Sequence, residues 1–282
     1  MRWQVGDVRI TRVVETELPT SPRFLFDGVS KQDVLDIEWL RPHFVGDSGL
    51  LTLSIHALVV ESQGHRILVD TCVGNDKTRG IPDWNQRKGP FLEDLAAAGF
   101  ARDTIDTVMC THLHVDHVGW NTMLVDGKWM PTFGNATYLF AREEWEHWNA
   151  VDEDEFGPVV EDSVRPIVDA GLAQLVDMTH QVTDEVWLEP TPGHTPGHVS
   201  VRIRSGGQDA VITGDMTHHP CQFAHPEWAA SVDFDPERST ATRHDFYAKY
   251  ADQPVLIIGT HFATPTAGHI RRDGGVYRLA VD

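Results

Sequence analysis

Three imidazoles and one carboxylate fall within a single short stretch, Thr111-His112-Leu113-His114-Val115-Asp116-His117-Val118-Gly119. Neutral imidazole and carboxylate are donors that a borderline divalent cation such as zinc prefers. In an extended or loosely turned backbone His112 and His114 project to the same side, as residues i and i+2 do in a strand. Asp116 and His117, past the bend, can then face a second cation. A tract that picks up metal by chance has no reason to keep Asp at a fixed offset with Gly directly behind it.

A two-cation site takes about six or seven protein donors, and this stretch supplies four. The others are found downstream: His194 in Thr191-Pro192-Gly193-His194-Thr195-Pro196-Gly197-His198, Asp215 in Thr213-Gly214-Asp215, and His261 in Gly259-Thr260-His261. Each follows small or turn-forming residues, where backbone can come close to an ion. The last two also end apolar runs, Ala210-Val211-Ile212 and Val255-Leu256-Ile257-Ile258. Donors at the ends of separate strands indicate a site built on a rigid scaffold.

The order His-x-His-x-Asp-His, then His, Asp and His, resembles the metallo-β-lactamase-fold hydrolase superfamily from about Ile55 onward. Gly214 to Ile270 is most similar to the branch holding methyl parathion hydrolase and the N-acyl-homoserine and pyridoxolactone lactonases. The resemblance implies a four-layer αββα sandwich with two divalent ions per chain, Zn2+ first, with Mn2+, Fe2+ or Co2+ also accepted. It implies that His112, His114 and His194 hold one ion, that Asp116, His117 and His261 hold the other, and that Asp215 bridges them. A hydroxide shared by the ions would attack a carbonyl carbon or phosphorus, and Asp116 would pass a proton to the leaving alkoxide. Lactonases of this group commonly carry a tyrosine three residues after the bridging aspartate. Here that position is His218, an imidazole able to donate likewise to the substrate oxygen.

Elements that position these residues can be read from periodicity. Residues 4–14 read as an edge hairpin, 51–60 and 66–69 as strands, and Thr107-Val108-Met109-Cys110 as the strand entering the metal motif. Helices are expected at about 90–99, 141–149, 161–171 and 236–250, with Pro166 disturbing the third. Further strands are expected at 136–140, 185–189, 198–204 and 255–258. Two runs of strands with helices at similar places suggest an αββα sandwich of two similar halves. No linker composition divides the chain, so residues 1–282 are expected to form one domain.

Residues 19–49 stand apart, with Pro19, Pro22 and Pro42 around aromatic clusters and a capped short helix after Ser30. They are expected to be an insertion that closes over the site or packs on a second copy in a homodimer, or else a surface loop with its own small core. Trp145, Trp148, Phe223 and Trp228 are expected to line an apolar substrate pocket, although aromatics spaced i, i+3 on a helix also suit a core. The acidic run 152–155 is expected as a solvated loop. Asp70 and Thr111 are candidates to orient the ligating imidazoles.

The chain has 282 residues, 41% of them hydrophobic, enough to bury a full core. Its formal charge of −19 argues against nucleic acid and gives anionic substrates no long-range help. No apolar run is long enough to span a membrane. The N-terminus lacks the apolar core of a secretory signal, and the three cysteines are widely separated, so a cytoplasmic location is expected. Hydrolysis of a neutral ester, lactone or phosphotriester is the expected function. A β-lactamase, a thioesterase of glyoxalase II type and a non-catalytic metal-bound sensor are the competing ones.

Overall fold

The computed structural model describes residues 1–151 and 155–281. Most of the acidic run 152–155 lies outside them; Glu155 is exposed. Strands β1 (Arg2–Val5), β2 (Val8–Thr20), β3 (Leu51–Ser62), β4 (His65–Val69) and β5 (Thr107–Met109) come first. A separate hairpin follows, β6 (Thr122–Val125) and β7 (Lys128–Pro131), then β8 (Thr137–Ala141) and β9 (Ala173–Val176). Hairpin aside, they form one sheet in the order β1-β2-β3-β4-β5-β8-β9.

The second sheet keeps chain order: β10 (Gln181–Thr183), β11 (Val186–Pro190), β12 (Val199–Ser205), β13 (Gln208–Ile212), β14 (Val255–Ile258), β15 (Ala267–Asp273) and β16 (Val276–Ala280). Helices α1 (Pro22–Leu25), α2 (Lys31–Leu35), α3 (Phe91–Ala97), α4 (Arg142–Trp148), α5 (Arg165–Asp169), α6 (Cys221–Ala224) and α7 (Pro236–Tyr250) connect them. Asp235 caps α7 by accepting from the Arg238 backbone N–H, with Pro236 at the first helical position.

Side-chain alternation divides the interior into three cores. Leu58, Val60, Ile67 and Val69 point inward to meet Val201, Ile203, Ala210 and Ile212 between the sheets. Ala57, Val59 and Leu68 point outward, against Phe91 and Leu95 of α3 and Ile167 of α5. Val211 and Ile257 of the second sheet likewise face Phe246, Tyr247 and Tyr250 of α7. These layers are the expected αββα sandwich, with α7 and the strand at 255–258 where periodicity placed them.

The structure extends or alters three expectations. The expected edge hairpin is present, β1 pairing with Val8–Thr11 of β2, but β2 runs on past it and pairs with β3 through Thr20, across an irregularity between Val14 and Thr16. Residues 19–49 are not a free-standing loop. Phe26, Val29, Val34, Leu40 and Phe44 share a core with Phe223, Tyr247 and Phe262. The short helix after Ser30 is present, closed by a capping box with Asp33. The helix expected over 161–171 is α-helical only from Arg165; a wider turn over Val160–Val164 precedes it. Pro166 supplies no N–H and is tolerated only near such a helix start.

Candidate metal centre

β4 and β5 pair in parallel, as do β13 and β14, and the loops leaving their C-terminal ends converge. Asp70 follows β4, His112 to His117 follow β5, Asp215 follows β13, and His261 follows β14. His194 comes from the β11–β12 connection. Gly214 has φ +56° and a Cβ there would lie 2.5 Å from His198 Nε2, so the turn that delivers Asp215 needs glycine.

Four of the five imidazoles are oriented by a fixed partner on the outer nitrogen. His117 Nδ1 meets Asp70 Oδ2 at 2.9 Å, His194 Nδ1 meets Asp233 Oδ1 at 2.8 Å, and His261 Nδ1 meets the Ser54 carbonyl at 3.0 Å. His112 Nδ1 lies 3.1 Å from Thr111 Oγ1, whose own hydroxyl donates to Asp70. These acceptors hold a proton on each outer nitrogen and leave the inner Nε2 as a lone pair. Asp70 and Thr111 are thus placed as anticipated. Asp233 was not anticipated, and nothing in Ser231-Val232-Asp233-Phe234-Asp235 separates it from an ordinary residue before a helix.

The inner nitrogens crowd. His112 Nε2 and His114 Nδ1 are 3.1 Å apart, and His194 Nε2 lies 3.2 and 2.8 Å from them. His117 Nε2 and His261 Nε2 are 3.1 Å apart, with Asp116 at 3.7 and 3.5 Å. Asp215 Oδ2 sits between the groups, 3.2 Å from His117, 3.1 Å from His261, 3.7 Å from His194 and 3.8 Å from His112. Unprotonated nitrogens this close repel unless a cation sits among them. Donors about 2.0–2.1 Å from a tetrahedral ion stand roughly 3.3 Å apart, close to the spacing seen here.

The electrostatics point the same way. Burial, together with neighbouring imidazoles, pushes His112 and His114 well below the ordinary histidine range, toward the neutral form that ligates. Burial also opposes charge on His117, yet Asp215, Asp70 and Asp116 together hold it well above that range. A pocket whose carboxylates keep a proton on a buried imidazole favours positive charge. The donor chemistry therefore fits a dinuclear divalent centre.

His198 is not one of the donors. Its Nε2 accepts from the Asp215 backbone N–H at 2.8 Å, and burial pushes it down to about 3. His218 is buried at 4% exposure, not a solvent-facing loop residue. Its Nε2 lies 3.3 Å from Asp215 Oδ2, its ring 4.7 Å from that of His194, and neither ring nitrogen makes a hydrogen bond.

A cavity of about 610 Å³ opens over the donors, with His114, Asp116, His194, Asp215, His218 and His261 at its floor. Leu18, Phe24, Ile55, Ile81, Trp84 and Phe156 are among its walls, and Ser21, Asp83 and Ser231 add polar groups. No lysine or arginine among the described residues lines it. The four aromatics expected there are elsewhere. Phe223 is fully buried, its ring 4.5 Å from that of Tyr247. Trp228 stacks on His225 at 4.1 Å, and Trp145 packs on the first outer core beside Arg165. Trp148 touches the His114 ring edge-on at 5.2 Å but does not line the cavity.

A four-layer sandwich with this donor set at the strand ends defines a metal-dependent hydrolase. The chain belongs to the metallo-beta-lactamase superfamily, whose profile matches residues 51–261. It is 26% identical over 201 residues to N-acyl homoserine lactonase AiiA of Bacillus thuringiensis subsp. kurstaki, covering 67% of this chain and 73% of the relative. Among solved structures it is similar to the hydrolase AbOPH of the beta lactamase superfamily (26% identity, TM-score 0.81, 100% of this chain and 97% of the other). The dizinc quorum-quenching lactonase AidC shares the fold at 20% identity (TM-score 0.82, the same coverage).

Proposed function

We propose that this chain is a dizinc hydrolase of neutral lactones, with aryl esters and phosphotriesters as related substrates. The observation that carries this reading is the convergence of seven candidate donors, five of them on the floor of an apolar cavity without basic residues. His112, His114 and His194 would hold one ion and Asp116, His117 and His261 the other, with Asp215 between them. When bound, two such ions supply an acidified water and a Lewis acid for a carbonyl or phosphoryl oxygen.

The chain's own residues do the rest. Asp70, Asp233, Thr111 and Ser54 fix the imidazole orientations before any ion arrives. His218, whose ring nitrogens make no hydrogen bond and whose Nε2 stands 3.3 Å from Asp215 Oδ2, donates an N–H to the substrate oxygen as that oxygen gains negative charge. Asp116, facing the cavity, would take up the proton released as water adds to the substrate and pass it to the departing alkoxide. The walls around Phe24, Trp84 and Phe156 exclude water and receive the apolar part of the substrate. Asp83 and the missing basic residues disfavour a substrate with its own negative charge.

That last point sets the chain apart from a β-lactamase. A glutathione thioesterase wants basic residues at the site, but Arg271, Arg272 and Arg278 lie on β15 and β16 and none lines the cavity. AiiA and AidC are lactonases by name, which supports lactones as the first substrates to try. We read the chain as one domain in which residues 19–49 help shape the entrance, through Phe24 and Leu25. Among the described residues no helix is long and apolar enough to cross a membrane.

The test is a panel of neutral lactones, aryl esters, phosphotriesters, phosphodiesters and anionic β-lactams on one zinc-loaded sample. Neutral lactones should turn over best. A phosphodiester or β-lactam hydrolysed faster than every neutral substrate would overturn the assignment. Binding of a lactone without turnover by protein holding both ions would favour a sensor.

A further inference from the structure

Glu144 belongs to α4, in the stretch Arg142-Glu143-Glu144-Trp145-Glu146 that reads as a charged helix surface, yet it is only 1% exposed. No basic side chain among the described residues pairs with it. Three N–H groups converge on it instead. Oε1 accepts from the Leu113 backbone at 3.0 Å and from Trp148 Nε1 at 2.7 Å, and Oε2 accepts from the Gly197 backbone at 2.9 Å.

Those partners share a purpose. Leu113 stands between His112 and His114. Gly197 lies three residues past His194 and just before His198, which accepts from the Asp215 backbone. Trp148 sets its ring against the ring of His114. A Cβ on Gly197 would lie 2.3 Å from the Glu144 backbone nitrogen, so only glycine lets the loop come this close. A buried carboxylate without a cation is costly unless hydrogen-bonded, and bonds to a charged acceptor are the stronger kind.

We infer that Glu144 is a positioning residue that fastens together the two loops carrying His112, His114 and His194. It makes no hydrogen bond to Asp116, His117 or His261; Asp70 supports His117 and the Ser54 carbonyl supports His261. Its effect therefore falls on one ion site of the pair. The inference rests on the assignment of those three imidazoles to a common ion.

Glu144→Gln retains the shape but has one acceptor oxygen, so the Leu113 or the Gly197 N–H must face an amide NH2. The experiment loads wild type, Glu144→Gln and the exposed control Glu143→Gln with Zn2+, then measures bound zinc against rising chelator. Wild type and the control should hold two ions per chain. Glu144→Gln should retain one ion at wild-type affinity and release the other at a 10–100-fold lower chelator concentration. Its kcat should recover as free zinc is raised. Release of both ions at wild-type concentrations, or of both together early, overturns the inference. A wild type that never holds two ions overturns the ion assignment instead.

If Glu144→Gln does not fold, amide hydrogen exchange on the wild type serves. Leu113 and Gly197 amides should open together, within a few-fold of each other. Independent opening, with rates more than about tenfold apart, contradicts a shared clamp.

Discussion

His218 offers the sharpest separation of chemistry from architecture. Neither of its ring nitrogens makes a hydrogen bond although the residue is 4% exposed. Removing it therefore strands no donor or acceptor. In His218→Ala the lost ring contacts and the small cavity cost about 1–3 kcal/mol. Relief of a buried, unsatisfied polar group returns about as much, so the net stability change should lie within roughly 1 kcal/mol. The catalytic loss should be far larger, since deleting one donor to a developing oxyanion costs about 2.7–4 kcal/mol, or 10²–10³ in kcat. KM should move little, because the donor acts on charge that appears after binding. The assay is kcat and KM on a neutral lactone, with bound metal and unfolding midpoint measured on the same sample. His218→Tyr, which keeps a donor, should recover part of the rate. A kcat within about threefold of wild type with both ions present would refute the donor role, and loss of an ion would make His218 a ligand.

Other perturbations reach different parts of the site. Asp233→Asn must aim its NH2 at the His194 N–H or at the Ala230 N–H and Arg243, all now served by the carboxylate. Affinity for one zinc ion should fall 10–100-fold, read by chelator competition; unchanged affinity would mean that His194 needs no orienting partner. Trp84→Ala removes cavity wall without touching a donor, so KM for a bulky apolar lactone should rise about tenfold, equivalent to about 1.4 kcal/mol of apolar contact. Metal content and kcat should hold, and a fall in either would place Trp84 in the chemistry. Lys77 is buried beside Asp162 and Arg79, and burial pushes it from 10.5 down to about 7 despite Asp162. Between those values the unfolded chain binds a proton that the folded chain has shed, so raising pH through this window stabilises the fold. Denaturant unfolding of wild type against Lys77→Met at pH 7 and pH 9.5 should show wild type gaining relative to the variant. An equal response in both would mean that Lys77 stays protonated.

The seven candidate donors that the structure brings together were legible because their signals are local. Four fall within one short stretch, and the others follow turn residues or end apolar strands, so spacing and residue type were enough. The residues that hold them were harder. Asp233 lies 39 residues from His194, and Glu144 lies 31 and 53 residues from Leu113 and Gly197, so nothing local to either carboxylate reveals the loop that it supports. The cavity walls escaped for a related reason. Trp145 and Trp148 at i, i+3 look alike whether they face a core or a substrate, and the fold put them on a core. Phe24 lies in the single turn of α1 and Trp84 and Phe156 in the connections between longer elements, all too short to show a period, and only the tertiary arrangement brings them to one cavity. How residues 19–49 pack could not be read from the segment itself, because most of the core they share comes from residues beyond 210.

The central claim, a hydrolase that works through two cations held by these donors, is tested most directly by adding metal back to stripped protein. Zinc is removed with chelator and returned in measured steps while bound metal and turnover of a neutral lactone are followed together. The stripped protein should be inactive, binding should saturate at about two ions per chain, and full turnover should appear only as the second ion binds. Saturation at one ion with full activity, or turnover that survives complete stripping, would contradict it.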